Sequence, residues 1–493
     1  MPLQDDLTLV LDIGKSNAKL LLIDADGHVR ERRVQPNAST PAAVDGPAYT
    51  ALGVAALQGW LLDAIPALAA GDAVRRLSIT THGAAFCGID ADGLVLPPMD
   101  YEWDGYGELH ARHAAAVDAY ADSGSPRLPQ GLNAGIQLHW LLENHPEACQ
   151  RVQHWLAWPQ YWAWWFSGVA ASERSSLGCH TDLWRPRDDR PSDWAVRSGL
   201  AARFAPMRSA WEVLGPLRPA LAAQLGLRGD VQVHVGSHDS NACLARYLPS
   251  HPDATVVSTG TWCVLMAPGA ATERLDAAHD QLVNVAVDGR PVATARFMGG
   301  REFAAICGDA DPLRADEAAL AEVLAQGWLA LPAHAESGGP YAGRQPQLLR
   351  HGSVVEAGLA CVPAALRPAL AALYCAQLTA ERVTQLDGGG APRPLVLEGP
   401  LAGNAAWLRA LAGLCPGRPL LRPDDELEGT ARGAWLLTRP LTLTVTSPPS
   451  EATPAIASAR LQRLFPHGDD AALQPSLDRV LQARQQQWVQ ALA

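Results

Sequence analysis

The sequence predicts an α/β protein built from two similar halves. Three observations carry this. Apolar, strand-like runs alternate with helical segments along most of the 493 residues. A strand, a small polar turn and a second strand at Leu9–Asp24 recur at Ala254–Met266. The Pro-containing segment Leu248 to Asp253 stands just before the second copy and marks a domain junction. A chain of this length exceeds what one hydrophobic core holds, so two or three domains are expected. The boundaries are set at residues 1–248, 249–445 and 446–493, the last a linker and an amphipathic helix.

Taken in order, residues 7–34 read as a β-hairpin. Arg76–Thr81 is a strand entering the polar turn Thr81-His82-Gly83-Ala84-Ala85, and Phe86–Leu96 is a hairpin turned at Asp90-Ala91-Asp92-Gly93. Helices are expected over about 105–121 and 136–143. Five tryptophans lie between Trp155 and Phe166, and their spacing predicts a packed core helix over 159–167, stopped by Ser167-Gly168, ahead of an aromatic wall for a ligand. Arg185 to Asp193 reads as a surface loop. Val231–Gly236 is a strand ending at Ser237-His238-Asp239, followed by a helix from Asn241 to Tyr247. A long helix occupies 364–387. Pro394–Glu398 is a buried strand leading into a glycine turn, and Gly429–Trp435 begins a small-residue helix. Residues 445–460 are Pro/Ser/Ala-rich, and Ser476–Leu492 is amphipathic.

Composition narrows the function. Apolar content of 48% with 18% charged residues is that of a globular protein. The net charge of -12 argues against nucleic acid or an anionic membrane as partner. No apolar run is long enough to span a membrane, and Met1–Asp6 lacks the basic start of a secretory signal. The nine cysteines are scattered, without a Cys-x-x-Cys pair, as in a reduced cytoplasmic protein.

The turn in Asp12-Ile13-Gly14-Lys15-Ser16-Asn17-Ala18-Lys19 offers backbone N–H groups, an ammonium and a hydroxyl to an anion, with Asp12 able to hold a divalent cation beside it. That pattern suits a nucleotide, although ordinary hairpin turns collect the same residues. A dinucleotide-binding turn is excluded, because no further glycine follows Gly14 at the required spacing.

Three pieces, in this order and separation, resemble the FGGY carbohydrate kinases, of the actin-like, ribonuclease-H-fold superfamily. Residues 12–19 resemble the first phosphate motif. Gly236-Ser237-His238-Asp239-Ser240-Asn241-Ala242 resembles the segment with the catalytic aspartate, and Ser258-Thr259-Gly260-Thr261-Trp262 the second phosphate motif. Gln137–Asn144 also resembles a family signature, with Gln137 where a lysine is usual. The turns are similar to those of rhamnulokinase and L-fuculokinase, which phosphorylate 6-deoxy-L-ketohexoses on the primary hydroxyl. Two departures stand out. Lys15 replaces a small residue, and Met99–Gly105 lacks the arginine of the usual Trp-x-Asp-x-Arg substrate loop.

The resemblance implies two ribonuclease-H-like domains with a cleft between them, a sugar-binding N-terminal one and a nucleotide-binding C-terminal one. It implies ATP and Mg²⁺ as cofactors, a sugar acceptor such as L-fuculose, L-rhamnulose or a pentulose, and a homodimer. Asp239 is then the general base; capping of the following helix is the competing reading. Asp12 and Asp239 are the metal candidates. Gly14, Lys15, Ser16, Asn17, Ser258, Thr259, Gly260 and Thr261 would meet phosphates, and Gly399, Gly403 and Asn404 would line the adenine and ribose pocket. His82, Gly83, Asp100, Tyr101, Glu102, His238 and Asp239 would hold the sugar. Arg301 and Glu302 stand in a conspicuous turn and either pair or face the cleft. The reading from another class is a catalytically silent sugar- or nucleotide-binding regulator on this fold.

Overall fold

The computed structural model describes residues 6–335, 338–424, 428–439, 461–464 and 475–492. The chain forms two units. Unit 1 comprises Met1–Ser250, Val283–Val292 and Glu428–Ser458, and unit 2 comprises His251–Leu282, Ala293–Leu427 and Ala459–Ala493. Glu428 and the helix Gly429–Leu436 thus fold with unit 1, although they follow most of unit 2 in the chain. The expected linker at 445–460 lies outside the described residues.

In unit 1, Leu7–Ile13 is buried at every position, as a strand covered on both faces must be. It runs antiparallel to Asn17–Ile23, which pairs with Val29–Pro36, so the expected hairpin is a three-stranded meander. On its other side Val74–Thr81 runs parallel, followed by Gln232–His234 parallel and Val213–Pro216 antiparallel at the edge. Period-2 alternation sends neighbouring residues to opposite faces. Leu9, Leu11, Leu20, Leu77 and Ile79 pack with Leu57, Leu61, Phe166, Leu221 and Leu225 from three helices. Val10, Leu21 and Ile23 pack instead with Ala242, Ala431, Ala434 and Trp435.

The tryptophan helix spans Trp158–Ser167 and ends at Gly168 in the left-handed conformation. Trp158 and Trp162 are only 1% and 0% exposed, so this helix is core and not a ligand wall. Residues 185–193 depart from a plain loop: Trp184–Arg185 and Arg190–Pro191 pair as a short two-stranded ribbon.

In unit 2, Thr255–Thr259 runs antiparallel to Cys263–Pro268 and parallel to Leu395–Glu398, beyond which come Leu420–Pro423 and Leu461–Leu464. The helix Arg367–Asp387 is buried nearly all round and stops at Gly388, whose φ of +56° suits glycine. The tail helix Pro475–Leu492 buries Trp488, whose indole N–H donates to the Ala330 carbonyl at 3.1 Å. All nine cysteines are free, and no helix among the described residues is long and apolar enough to cross a membrane.

Candidate active site

The polar residues of unit 1 gather where parallel strands end. Asp12 is paired in register with Thr80, and His238 with Thr81, so Asp12, His82 and Asp239 emerge side by side from three adjoining strand segments. The carboxyl ends of parallel strands are where α/β sheets place ligands. Gly236 makes the approach to Asp239 possible. Its φ is +77°, and a Cβ there would sit 2.4 Å from the Ile79 carbonyl oxygen, so only glycine lets the chain cross so close. The amide of buried Gln160 fixes this bend by donating to the Val235 and Gly236 carbonyls.

Asp239 is the first residue of the helix Asp239–Ala245, with His238 at the cap position. It does not make the side-chain cap bond of the competing reading; its Oδ1 accepts from the Ser240 N–H at 2.6 Å. The side chain stays 30% exposed, and His238 Nε2 lies 3.2 Å from Oδ1. Asn241 Nδ2 lies 3.3 Å from His238 Nδ1, and the imidazole turns its Nε2 toward Asp239 and the Cys179 sulfur, the latter at 3.3 Å. Gly83 is a glycine for steric reasons as well: a Cβ would lie 3.1 Å from the His238 ring.

His82 is buried, its backbone N–H donating to the Ile13 carbonyl and its Nδ1 bonding the Gly83 carbonyl at 2.8 Å. Burial lowers its pKa, and the opposing effects of the Gly83 carbonyl and the Asp239 charge are smaller. The Tyr101 ring meets His82 edge-on at 5.6 Å. Asp100 is fixed by its own N–H, which donates to the Thr50 carbonyl, and its Oδ1 accepts from the Glu102 N–H at 2.9 Å. Burial alone would raise the Asp100 pKa, but hydrogen bonds from Lys15, Ser39 and Glu102 outweigh it and leave the carboxyl below its ordinary value. Gln137 holds the floor of this region, donating to the Ala84 and Gly131 carbonyls at 2.7 Å each.

Asp12 is 7% exposed. Burial pushes its pKa up to about 7; Lys19 opposes this, while the negative charges of Asp239 and Glu428 add to it. Lys19 Nζ is 3.8 Å from Asp12 Oδ2 and 2.8 Å from Glu428 Oε2, and Arg32 completes the pair with Glu428 at 3.1 Å. Lys19 and Glu428 are absent from the site residues expected on sequence alone. Lys19 was legible, because the hairpin register places it opposite Asp12. Glu428 was not, being more than four hundred residues from Asp12.

The turn itself is closed by Gly14 N–H donating to the Asn17 carbonyl at 2.9 Å, and Asn37 Nδ2 donates to the Gly14 carbonyl at 2.6 Å. Ser16 and Asn17 are exposed at its tip. Lys15 takes a different course from the expected phosphate contact: its ammonium bonds Asp100 and lies 3.4 Å from Glu102 Oε2.

In unit 2, Ser258 and Thr259 close the second hairpin opposite Val264 and Cys263, leaving Gly260 and Thr261 exposed at the tip. Thr259 Oγ1 donates to the Glu398 carbonyl at 2.6 Å and accepts from Leu401 N–H at 3.1 Å, tying the hairpin to the 399–404 turn. Gly399 has a φ of +82°, and a Cβ there would fall 1.9 Å from the Thr259 carbonyl oxygen. Asn404 caps the helix Ala405–Leu414, its Oδ1 accepting from Trp407 N–H at 2.9 Å. Gly403 has open space where a Cβ would be. Glu302 is buried, accepting from the Tyr374 hydroxyl at 2.7 Å and the His334 N–H at 2.8 Å, while Arg301 is exposed.

The comparisons agree with this layout. Residues 120–245 match the N-terminal domain of the FGGY family of carbohydrate kinases, and residues 251–446 match the carbohydrate kinase FGGY C-terminal domain. The solved structure of a carbohydrate kinase from Novosphingobium aromaticivorans is 34% identical, covers 99% of both chains and superposes with a TM-score of 0.80. A ligand-bound xylulose kinase from Lactobacillus acidophilus shares the fold at 12% identity, with 99% of this chain and 97% of that one covered and a TM-score of 0.76. An L-fuculokinase from Salmonella typhi is 28% identical over 284 residues, 54% of this chain. The match spans 57% of that relative's length, somewhat over half. Motif order, strand-end placement and both domain matches lead to one conclusion: the chain belongs to the FGGY family of carbohydrate kinases.

Proposed function

We propose that the protein transfers the γ-phosphoryl group of ATP to a hydroxyl of a ketose, an L-fuculose- or L-rhamnulose-like sugar or a pentulose, with Asp239 as general base. The observation that carries this is the emergence of Asp239, partly exposed, beside His82 and His238 at the ends of adjoining parallel strands. Asp239 accepts the hydroxyl proton as the acceptor oxygen forms its bond to phosphorus and ADP leaves with the electron pair of the broken bond. His82, held neutral by burial, orients an acceptor hydroxyl, and Tyr101 supplies an apolar face. The exposed tips at Ser16-Asn17 and Gly260-Thr261 offer N–H and hydroxyl groups to phosphates, and Gly403 leaves room for a base.

The acidic surroundings of Asp12 fit a divalent cation. A buried carboxyl raised to about 7 by burial, opposed by Lys19 at 3.8 Å, raised further by Asp239 and Glu428 and opposed to a smaller extent by Arg32, gains from an added positive charge. Asp12 and Asp239 would hold Mg²⁺, which neutralises phosphate charge when bound.

The test is a coupled ADP-release assay over L-fuculose, L-rhamnulose, both xyluloses, both ribuloses, glycerol and erythritol, on wild type and Asp239→Asn. One acceptor is expected to drive ADP release, and the variant to bind it while turning over at least ~100-fold slower. Near-normal turnover in Asp239→Asn removes the assigned base. No ADP release with any acceptor of the panel would leave the silent-regulator reading in its place.

A further inference from the structure

Lys15 sits in a turn whose chemistry suggested a phosphate contact, yet its ammonium points at residues 100–102. It bonds the Asp100 carboxylate, stands 3.4 Å from Glu102 Oε2 and lies 4.8 Å above the centre of the Tyr101 ring. These three consecutive side chains come from one loop, pinned at Asp100 N–H to the Thr50 carbonyl and at the Tyr101 carbonyl to Gly131 N–H. The Tyr101 ring also meets His82 edge-on at 5.6 Å. The other lysine of the motif, Lys19, is taken up by Glu428 and Asp12.

We infer that Lys15 determines acceptor specificity: with Asp100, Tyr101 and Glu102 it forms a partly charge-compensated, net acidic wall that binds an uncharged polyol and turns away an anionic one. This rests on the kinase reading above. An ammonium has three N–H donors. The Asp100 carboxylate takes one, Glu102 stands at ion-pair distance, and a further N–H can donate to an acceptor carbonyl or hydroxyl oxygen. Two acids against one lysine leave the wall with a net negative charge, to which Asp239 adds. An aldonate carboxylate brought against it meets like charge in a partly desolvated place, whereas a ketose finds both donors and acceptors. The wall also links two functions. Lys15 is three residues from Asp12, so the ion pair with Asp100 ties the first turn to the acceptor loop.

The experiment uses the full chain and the variants Lys15→Met, Lys15→Arg and Asp100→Asn. Acceptor binding is read without turnover, by tryptophan fluorescence titration with L-fuculose and with D-gluconate, and KM is measured separately for acceptor and ATP. Lys15→Met is expected to weaken L-fuculose binding and raise acceptor KM at least ~10-fold, with ATP KM changed by less than ~3-fold. Lys15→Arg recovers part of the loss. Asp100→Asn shifts the ratio of gluconate to fuculose binding toward gluconate, and it decides the matter should Lys15→Met melt before the assay temperature. A raised ATP KM with acceptor binding intact would return Lys15 to a phosphate role and overturn the inference. So would gluconate binding wild type as tightly as L-fuculose does. Absence of acceptor-driven ADP release in wild type strikes at the kinase reading alone, since the fluorescence titration still decides on Lys15.

Discussion

Gly433 is packed directly on the carbonyl of Ala242, three residues along the helix that begins with Asp239. A Cβ at Gly433 would fall 1.8 Å from the Ala242 oxygen and 2.4 Å from its carbon. The obstructing atoms are backbone, so no rotamer change relieves the clash. Gly433→Ala is therefore expected to push the two helices apart and to cost about 1–3 kcal/mol. Because the displaced helix carries Asp239, turnover should fall together with the urea midpoint. An alanine variant with wild-type midpoint and wild-type kcat would mean that the close approach is dispensable.

Asp12 gives the opposite combination. Its carboxyl is buried and its pKa raised to about 7, so the folded chain holds this proton more tightly than the unfolded chain does. The associated stability is present below the ordinary carboxylate pKa and is lost as pH rises to about 7. Asn mimics the neutral form, and Lys19 keeps Glu428 at 2.8 Å. At pH 8 Asp12→Asn should melt no lower than wild type, and on the order of 1 kcal/mol higher is expected, while phosphoryl transfer falls at least ~100-fold. Thermal melts with and without Mg²⁺ check this, since only wild type should gain from the cation. A variant that melts far below wild type would make Asp12 a structural residue.

Buried His234 and half-buried His334 and His139 contribute to the acid limb. Burial depresses His234 and His334 to about 4, and it lowers His139 as well, with the charge of neighbouring His113 adding to it. His139 Nδ1 also faces His113 Nδ1 at 3.0 Å, an arrangement that needs one N–H and one lone pair. Between about 6.5 and 4 the unfolded chain binds protons that the folded chain refuses. The stability from these groups is thus whole above pH 6.5 and is lost as pH falls toward 4. For His234, the loss at the bottom of that window is on the order of 3 kcal/mol. Urea unfolding at pH 7.5, 6.0 and 5.0 should show the decline, and His234→Gln should flatten it. Equal slopes in the two proteins would refute the assignment to His234.

The contrast between local and distant contacts explains how much could be seen in the sequence. Both hairpins, the tryptophan helix and the long helix ending at Gly388 follow from residue periodicity and turn chemistry within one segment, and they were legible. The positions of Asp12, His82 and Asp239 at strand ends were legible too, because each follows a strand-like run of apolar or alternating residues. The Lys15–Asp100 pair, the Glu428–Lys19 pair and the close approach of Gly433 to Ala242 join residues 85 to 409 positions apart. No local pattern encodes such partners; they depend on how segments dock. Lys15 shows the consequence, since its turn chemistry suggested an anion while docking supplied Asp100.

Gly399 and Gly403 separate architecture from ligand contact. Gly399, with φ of +82° and Thr259 carbonyl oxygen 1.9 Å from the place of its Cβ, has no room for any side chain. Gly399→Ala must open the contact between the 399–404 turn and the second hairpin, at a cost of about 2–4 kcal/mol from backbone strain and overlap combined. Gly403 has no atom within 4 Å of the place a Cβ would take and an ordinary φ, so Gly403→Ala should leave the urea midpoint within about 0.5 kcal/mol of wild type. If Gly403 lines the nucleotide pocket, Gly403→Leu raises the KM for ATP several-fold while acceptor KM and thermal stability hold. An unchanged ATP KM in Gly403→Leu would remove this residue from the nucleotide site and leave the turn with a purely architectural role.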